Sequence, residues 1–251
     1  LAAAWTLPSV LGLGILYPLY AWPTSCSLWK PIADQISAHS DVQFHIIINP
    51  NNGPETSPAD PAFQACIPTL TSAGTSTVVL GYVRTGYTTE VTAAEVQGNV
   101  SLYASWGSAY RPTGIFFDEV SNDPTLANAY ASYAAFARSS GFNFVGRSRP
   151  ITFNPGTSTD PSYFSSADLI VTFENVYSTF AGASSLVISP SMPAAKQAVI
   201  LYAAPTTAYT STIDTLASLG VGAVYMTDDS IPNPYDSVPT DWAAEVADVA
   251  A

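Results

Sequence analysis

Eight short apolar runs, each separated from the next by a helical pattern or a polar turn, restrict the fold of this chain more than any other feature. The runs lie within residues 10–19 (VLGLGILYPL), at Phe44–Ile48 (FHIII), and within 78–83 (VVLGYV), 114–120 (GIFFDEV), Ile151–Phe153, 168–173 (DLIVTF), 198–203 (AVILYA) and Ala223–Met226 (AVYM). Runs of this kind, bounded by turn residues, read as strands buried on both faces of a parallel sheet. Between them, residues 28–38, 61–72, 89–106, 125–139, 207–219 and 241–249 read as helices, and Thr92-x-x-Glu95 has the form of a capping box. Alternating strands and helices predict parallel α/β architecture. Eight such units in 251 residues predict a (β/α)8 TIM barrel, a single domain spanning residues 1–251. A doubly wound open sheet is the alternative.

Composition narrows the function. Apolar residues make up 47% of the chain and charged ones 10%, with 7 basic against 19 acidic residues and a net charge of −12. Such a surface repels nucleic acid, whose phosphates require basic patches, and it tolerates a neutral or cationic ligand. No apolar stretch approaches the roughly 20 residues that span a bilayer. The chain begins at Leu1 without a Met, compatible with a removed secretion signal. Cys26 and Cys66 are the two cysteines. In a secreted chain they pair as a disulfide; two buried free thiols are the alternative. Asn99-Val100-Ser101 is an N-glycosylation sequon, which also agrees with secretion.

In a barrel of this kind chemistry gathers at the C-terminal ends of the strands. Those ends carry Tyr17 and Trp22, Asn49, Arg84, Asp118 with Glu119, Asn154, Glu174, and Asp228 with Asp229. Each reads singly as a cap or a turn residue. Together they form a ring of polar and aromatic groups above apolar runs. The adjacent carboxylates Asp118 and Glu119 are the strongest signal, because two neighbouring charges at a buried strand end repel and are costly to desolvate. A helix-capping Asp beside a solvated Glu is the plainer reading.

Missing parts exclude several chemistries. Lys30 and Lys196 lie off the strands, so no lysine is placed for a Schiff base. His39 and His45 are isolated, so no metal cluster is indicated, and no cofactor motif such as GxGxxG or a P-loop occurs. A GxSxG elbow is also absent. Paired carboxylates remain, the requirement of glycoside hydrolysis: Asp118 or Glu119 on the fourth strand facing Glu174 on the sixth. Tyr17, Trp22, Tyr87 and Tyr177 are candidates for stacking on sugar rings, with rim packing as the alternative for each.

The segments Gly14-Ile15-Leu16-Tyr17-Pro18-Leu19-Tyr20, Ile48-Asn49-Pro50-Asn51-Asn52-Gly53-Pro54, Gly81-Tyr82-Val83-Arg84-Thr85, Phe116-Phe117-Asp118-Glu119 and Phe173-Glu174 resemble the spherulin-4 family, spherulation-specific family four, also classed as glycoside hydrolase family 135. The resemblance runs from about Gly14 to Asp228. It implies a secreted or cell-wall fungal (β/α)8 enzyme without a cofactor, an endo-α-1,4-N-acetylgalactosaminidase cutting galactosaminogalactan, an exopolysaccharide of fungal biofilms. It also implies an acidic triad of Asp118, Glu119 and Glu174. In an α-linked N-acetylgalactosamine the 2-acetamido group is cis to the leaving oxygen and cannot attack from the opposite face. A retaining enzyme then needs a protein nucleophile: Asp118, with Glu174 as general acid/base and Glu119 as helper, or Asp118 and Glu119 exchanged, since strand alternation points only one of them inward. The expected partner is the polysaccharide alone, bound by a monomer, with Asn49, Tyr82, Arg84, Asn154 and Asp228 among its contacts. Two rival readings are a barrel that cuts deacetylated, cationic polymer, as the related family 114 does, and a wall protein that binds sugar without cutting it.

Overall fold

The computed structural model describes residues 12–141, 149–206 and 209–251. Eight parallel strands close into a barrel in sequence order: β1 (Gly14–Leu19), β2 (Phe44–Ile48), β3 (Thr77–Arg84), β4 (Gly114–Asp118), β5 (Ile151–Phe153), β6 (Leu169–Val176), β7 (Gln197–Tyr202) and β8 (Ala223–Met226). β8 returns to β1 through the pairs Gly14 with Ala223 and Ile15 with Val224. The open-sheet alternative is therefore excluded. Around the barrel lie α1 (Lys30–Ala38), α2 (Pro61–Thr71), α3 (Ala93–Ser105), α4 (Ala127–Ser139), α5 (Thr210–Ser218) and α6 (Trp242–Val249). After β5 the connection holds one 3-10 turn, Pro161–Ser165, and after β6 three, Tyr177–Thr179, Gly182–Ser185 and Ala194–Lys196, in place of a regular helix. The first two residues of the helix predicted over 207–219 lie outside the described residues.

The helices start where their sequences supply caps. Thr92 and Glu95 form a reciprocal capping box at the head of α3, satisfying two N–H groups that the first turn leaves unpaired. Asp60 accepts from the Ala62 N–H at 2.8 Å to open α2, and Pro61 follows where its missing N–H costs nothing. Gly114 opens β4 because a Cβ there would stand 2.1 Å from the Pro150 carbonyl oxygen. Cys26 and Cys66 are joined in a disulfide, Cα atoms 5.0 Å apart, that ties the turn before α1 to α2.

Strand alternation sorts the side chains into two layers. Phe117 packs on Tyr133 of α4, and Phe153 on Tyr130 of α4, so these residues face the helices. Phe116 instead meets Tyr82 of the neighbouring strand, and Tyr82 meets Tyr20. Residues sharing the parity of Tyr82, Phe116 and Thr152 thus face the barrel axis. Two positions further along their strands stand Arg84, Asp118 and Asn154, at the C-terminal mouth.

Candidate active site

Asp118 ends β4 at this mouth, and alternation aims it inward with Phe116. Its Oδ2 accepts from the Tyr82 hydroxyl at 2.6 Å and its Oδ1 from the Asn154 amide at 2.8 Å. The same Asn154 nitrogen donates to Glu174 Oε2 at 2.8 Å. This single nitrogen therefore holds one oxygen of each carboxylate within about 5.6 Å of the other, the sum of the two 2.8 Å bonds. Tyr235, on the segment after β8, donates to the other oxygen of Glu174 at 2.5 Å. Tyr20, Tyr87, Asp118, Glu119, Asn154, Glu174 and Tyr235 line an open cavity of about 240 Å3.

Local backbone geometry fixes this arrangement. β6 carries a bulge between Val171 and Phe173, an irregularity of the kind that re-aims side chains beside sites, and then continues through Glu174 to Val176. Gly156 holds φ +64°, a conformation that costs a side chain but not glycine. Its N–H donates to Asn154 Oδ1 at 2.9 Å and its carbonyl accepts from the Glu174 N–H at 3.0 Å. One turn therefore orients the bridging amide and anchors the second carboxylate.

Glu119 departs from its neighbour. Its φ is +52°, a strained value for a non-glycine residue. The Thr85 hydroxyl donates to the carbonyl oxygens of both Asp118 and Glu119 at 2.8 Å, and the Tyr87 N–H donates to the Glu119 carbonyl at 2.8 Å. The turn carries the Glu119 carboxylate beside the axis to Arg84, whose Nε lies 2.7 Å from Oε2. Arg84 also pairs with Glu90.

Burial raises the Asp118 carboxyl to about 6, and the nearby Glu174 charge adds to the rise, while the Tyr82, Glu119 N–H and Asn154 donors oppose it. Burial also drives the hydroxyls of Tyr20, Tyr82 and Tyr235 upward, assisted by the adjoining carboxylates. They stay protonated, and those of Tyr82 and Tyr235 donate to Asp118 and Glu174.

The structure does not bring every candidate from the sequence to this cavity. Tyr17 has the opposite parity from Tyr20: it is fully buried in the helix layer, edge-on to Tyr225 and Trp242, and has no face for a sugar. Trp22 packs edge-on against Phe63 on the rim, 39% exposed. Asn49 Oδ1 accepts from the Gly53 N–H at 3.2 Å and so braces its own turn. Tyr177 shares a hydrogen bond with Thr212 of α5. Asp228 caps Thr240 through both its N–H and its hydroxyl, and Asp229 accepts from the Ser237 hydroxyl; both serve as caps. Asn99 lies within α3, half-buried against Gly53. Conversely, Tyr20 and Tyr235 join the site without having been singled out as contacts. Tyr20 was readable from β1 alternation, whereas the segment carrying Tyr235 offers no period to read.

Among the described residues no cluster of His, Cys, Asp and Glu is arranged to hold a metal, and no helix is long and apolar enough to cross a membrane. The chain matches the model of spherulation-specific family 4 over residues 14–249. Spherulin-4 of Physarum polycephalum is 31% identical over 224 residues, 85% of this chain and 63% of that protein; the chain thus spans less than two-thirds of this relative. Aspergillus clavatus Sph3, solved in complex with GalNAc, superposes with a TM-score of 0.83 at 25% identity, covering 96% of this chain and 98% of that one. The Bacillus cereus spore cortex-lytic enzyme SleL shares the fold alone, with a TM-score of 0.52 at 10% identity over 95% of this chain and 75% of that one. A family match spanning nearly the whole barrel, agreeing with both the spherulin-4 sequence and the Sph3 architecture, makes this chain a member of spherulation-specific family 4, the spherulin-4 family.

Proposed function

We propose that the chain is a retaining glycoside hydrolase acting within polymers of α-1,4-linked N-acetylgalactosamine, with Asp118 as nucleophile and Glu174 as general acid/base. The observation that carries this reading is the Asn154 amide shared at 2.8 Å by one oxygen of each carboxylate. Two oxygens no more than about 5.6 Å apart suit the roughly 5–5.5 Å spacing of retaining enzymes better than the roughly 6.5–9.5 Å of inverting ones. The GalNAc held by Sph3 supports the sugar identity, and the disulfide suits an extracellular or cell-wall setting.

The division of roles follows from the donors. Asp118 receives hydrogen bonds from Tyr82, Asn154 and the Glu119 N–H, whereas Glu174 receives them from Tyr235 and Asn154. Donors favour the anion, and the larger set of them on Asp118 supports its role as nucleophile and leaves that of general acid/base to Glu174. Asp118 attacks the anomeric carbon as Glu174 protonates the leaving oxygen. Glu174, now ionised, then takes a proton from the water that releases the sugar. Glu119, held by Arg84, keeps that guanidinium at the edge of the cavity and is the helper of the triad.

Incubating the protein with galactosaminogalactan and reading product masses tests the activity. Oligomers with acetylated ends, absent with Glu174→Gln, are expected. The net charge of −12 favours a second reading, cleavage at deacetylated galactosamine, and faster release from deacetylated polymer would select it. Sugar binding with no new reducing ends would leave only a lectin-like role.

A further inference from the structure

A second concavity, about 740 Å3, lies beside the catalytic cavity and is about three times its size. Arg84 lines it, and Arg84 also grips Glu119, which lines the catalytic cavity. The loop after β3 separates the two, presenting Tyr87 to one and Val91 to the other. One ion pair therefore marks the border between them.

Two features of the groove are poorly explained by folding alone. Gly98 sits inside α3, exposed, and a Cβ there would meet nothing within 4 Å. Glycine weakens a helix interior relative to alanine, and here no close packing requires it. What its missing side chain preserves is space in the groove. Secondly, the groove is lined by the side-chain amides of Asn52 and Asn99. Asn99 reaches it from α3, and Asn52 is held there by a left-handed turn at φ +51°.

We propose that this groove binds further hexosamine units of the same polymer, on one side of the scissile bond, with Gly98 clearing the floor and the Asn52 and Asn99 amides meeting sugar hydroxyl and amide groups. The proposal rests on the hydrolase reading and extends it from one sugar to a chain. The amides and Ser101, together with Arg84 and Glu95, offer hydrogen-bond partners to a hydroxyl-rich ligand. An N-glycan on Asn99 would occupy the same space, so the groove requires Asn99 to be unmodified.

The test compares Gly98→Ala, Gly98→Trp and Asn99→Ala with the parent on N-acetylgalactosamine oligomers of increasing length. Gly98→Ala should melt higher than the parent, showing that the glycine is not there for stability. Gly98→Trp should reduce the ratio of kcat/KM for long chains to that for the shortest cleaved oligomer by about tenfold, the loss of one or two hydrogen-bonded contacts, and Asn99→Ala should reduce it less. A ratio unchanged in all three overturns the groove and leaves the hydrolase reading standing. Calorimetric titration of oligomers into the Glu174→Gln protein separates the two. Affinity that grows with length, and ceases to grow when Gly98→Trp is added, supports the groove even if the parent cuts nothing; affinity independent of length overturns it. Mass spectrometry that finds a glycan on Asn99 in protein secreted from a eukaryotic host would also overturn it.

Discussion

Two carboxyl groups in this barrel are raised by burial, Asp118 to about 6 and Glu245 to about 8, yet they sit in opposite kinds of place. Asp118 borders an open cavity, meets two side-chain donors and faces a second carboxylate across a shared amide. Glu245, on α6, is 0% exposed. Its Oε1 accepts from the Met226 N–H at 2.8 Å, and its Oε2 has no partner. Desolvation dominates both. Access and company distinguish them: Asp118 lines a cavity that a ligand can enter, while Glu245 joins α6 to the end of β8 and is best accommodated neutral. A perturbed carboxyl alone does not mark a catalytic centre.

Removing each group should break the comparison most sharply. Asp118→Asn and Glu174→Gln should each lower polymer cleavage by about 10^4-fold, as loss of a group in the covalent step does. Glu245→Gln should change it less than about twofold. Reducing-end release by purified, folded variants measures this, and substantial activity in Asp118→Asn would return the nucleophile's role to Glu119.

Stability should show the converse. Glu245 binds its proton more tightly in the folded chain than in the unfolded one, where its carboxyl titrates near 4.5. Its stabilising effect is complete below that pH and is lost as pH rises through about 8, a cost approaching about 5 kcal/mol once the group ionises in both states. Glu245→Gln keeps the acceptor for Met226 and carries no charge. It should therefore match the parent in urea unfolding at pH 4 to 5 and exceed it by several kcal/mol at pH 9. Equal stabilities at pH 9 would show that water reaches Glu245 after all.

The same contrast shows what the sequence displayed. Bounded apolar runs gave β2, β5 and β8 to the residue, since the start and stop of a buried strand are local events. β6 runs to Val176 rather than stopping at Phe173, because a bulge lets the ladder with β7 continue through polar Glu174 and Asn175. The connections after β5 and β6 contain 3-10 turns, where eight regular helices would have completed the pattern. At the site, Asp118, Asn154 and Glu174 were legible as strand-end polar groups. Tyr17 was misread by one phase of alternation, since Leu16 and Tyr20, not Tyr17, share the axial parity. Asn49 and Asp228 were turn and cap residues in which a ring of polar ends looked functional. The Arg84–Glu119 pair and Tyr235 depend on where loops from different strands meet, and no local pattern encodes that.

The Tyr82 hydroxyl provides the finest test of what sets Asp118 apart from Glu245, because it is a donor that Glu245 lacks. Its hydrogen bond to Oδ2 favours the ionised form, whereas burial and Glu174 oppose it. In the proposed role of nucleophile Asp118 must be ionised, so kcat/KM should fall as pH drops through about 6, the value for the free enzyme. Tyr82→Phe keeps the ring against Tyr20 and Phe116 while removing the donor. The acid limb should then move to higher pH by about one unit, with the plateau rate falling about tenfold. A merely structural role for Tyr82 would lower the rate without moving the limb. A limb shifted to lower pH would overturn the donor role, since it would mean that the Tyr82 hydroxyl had favoured the protonated form of the titrating group.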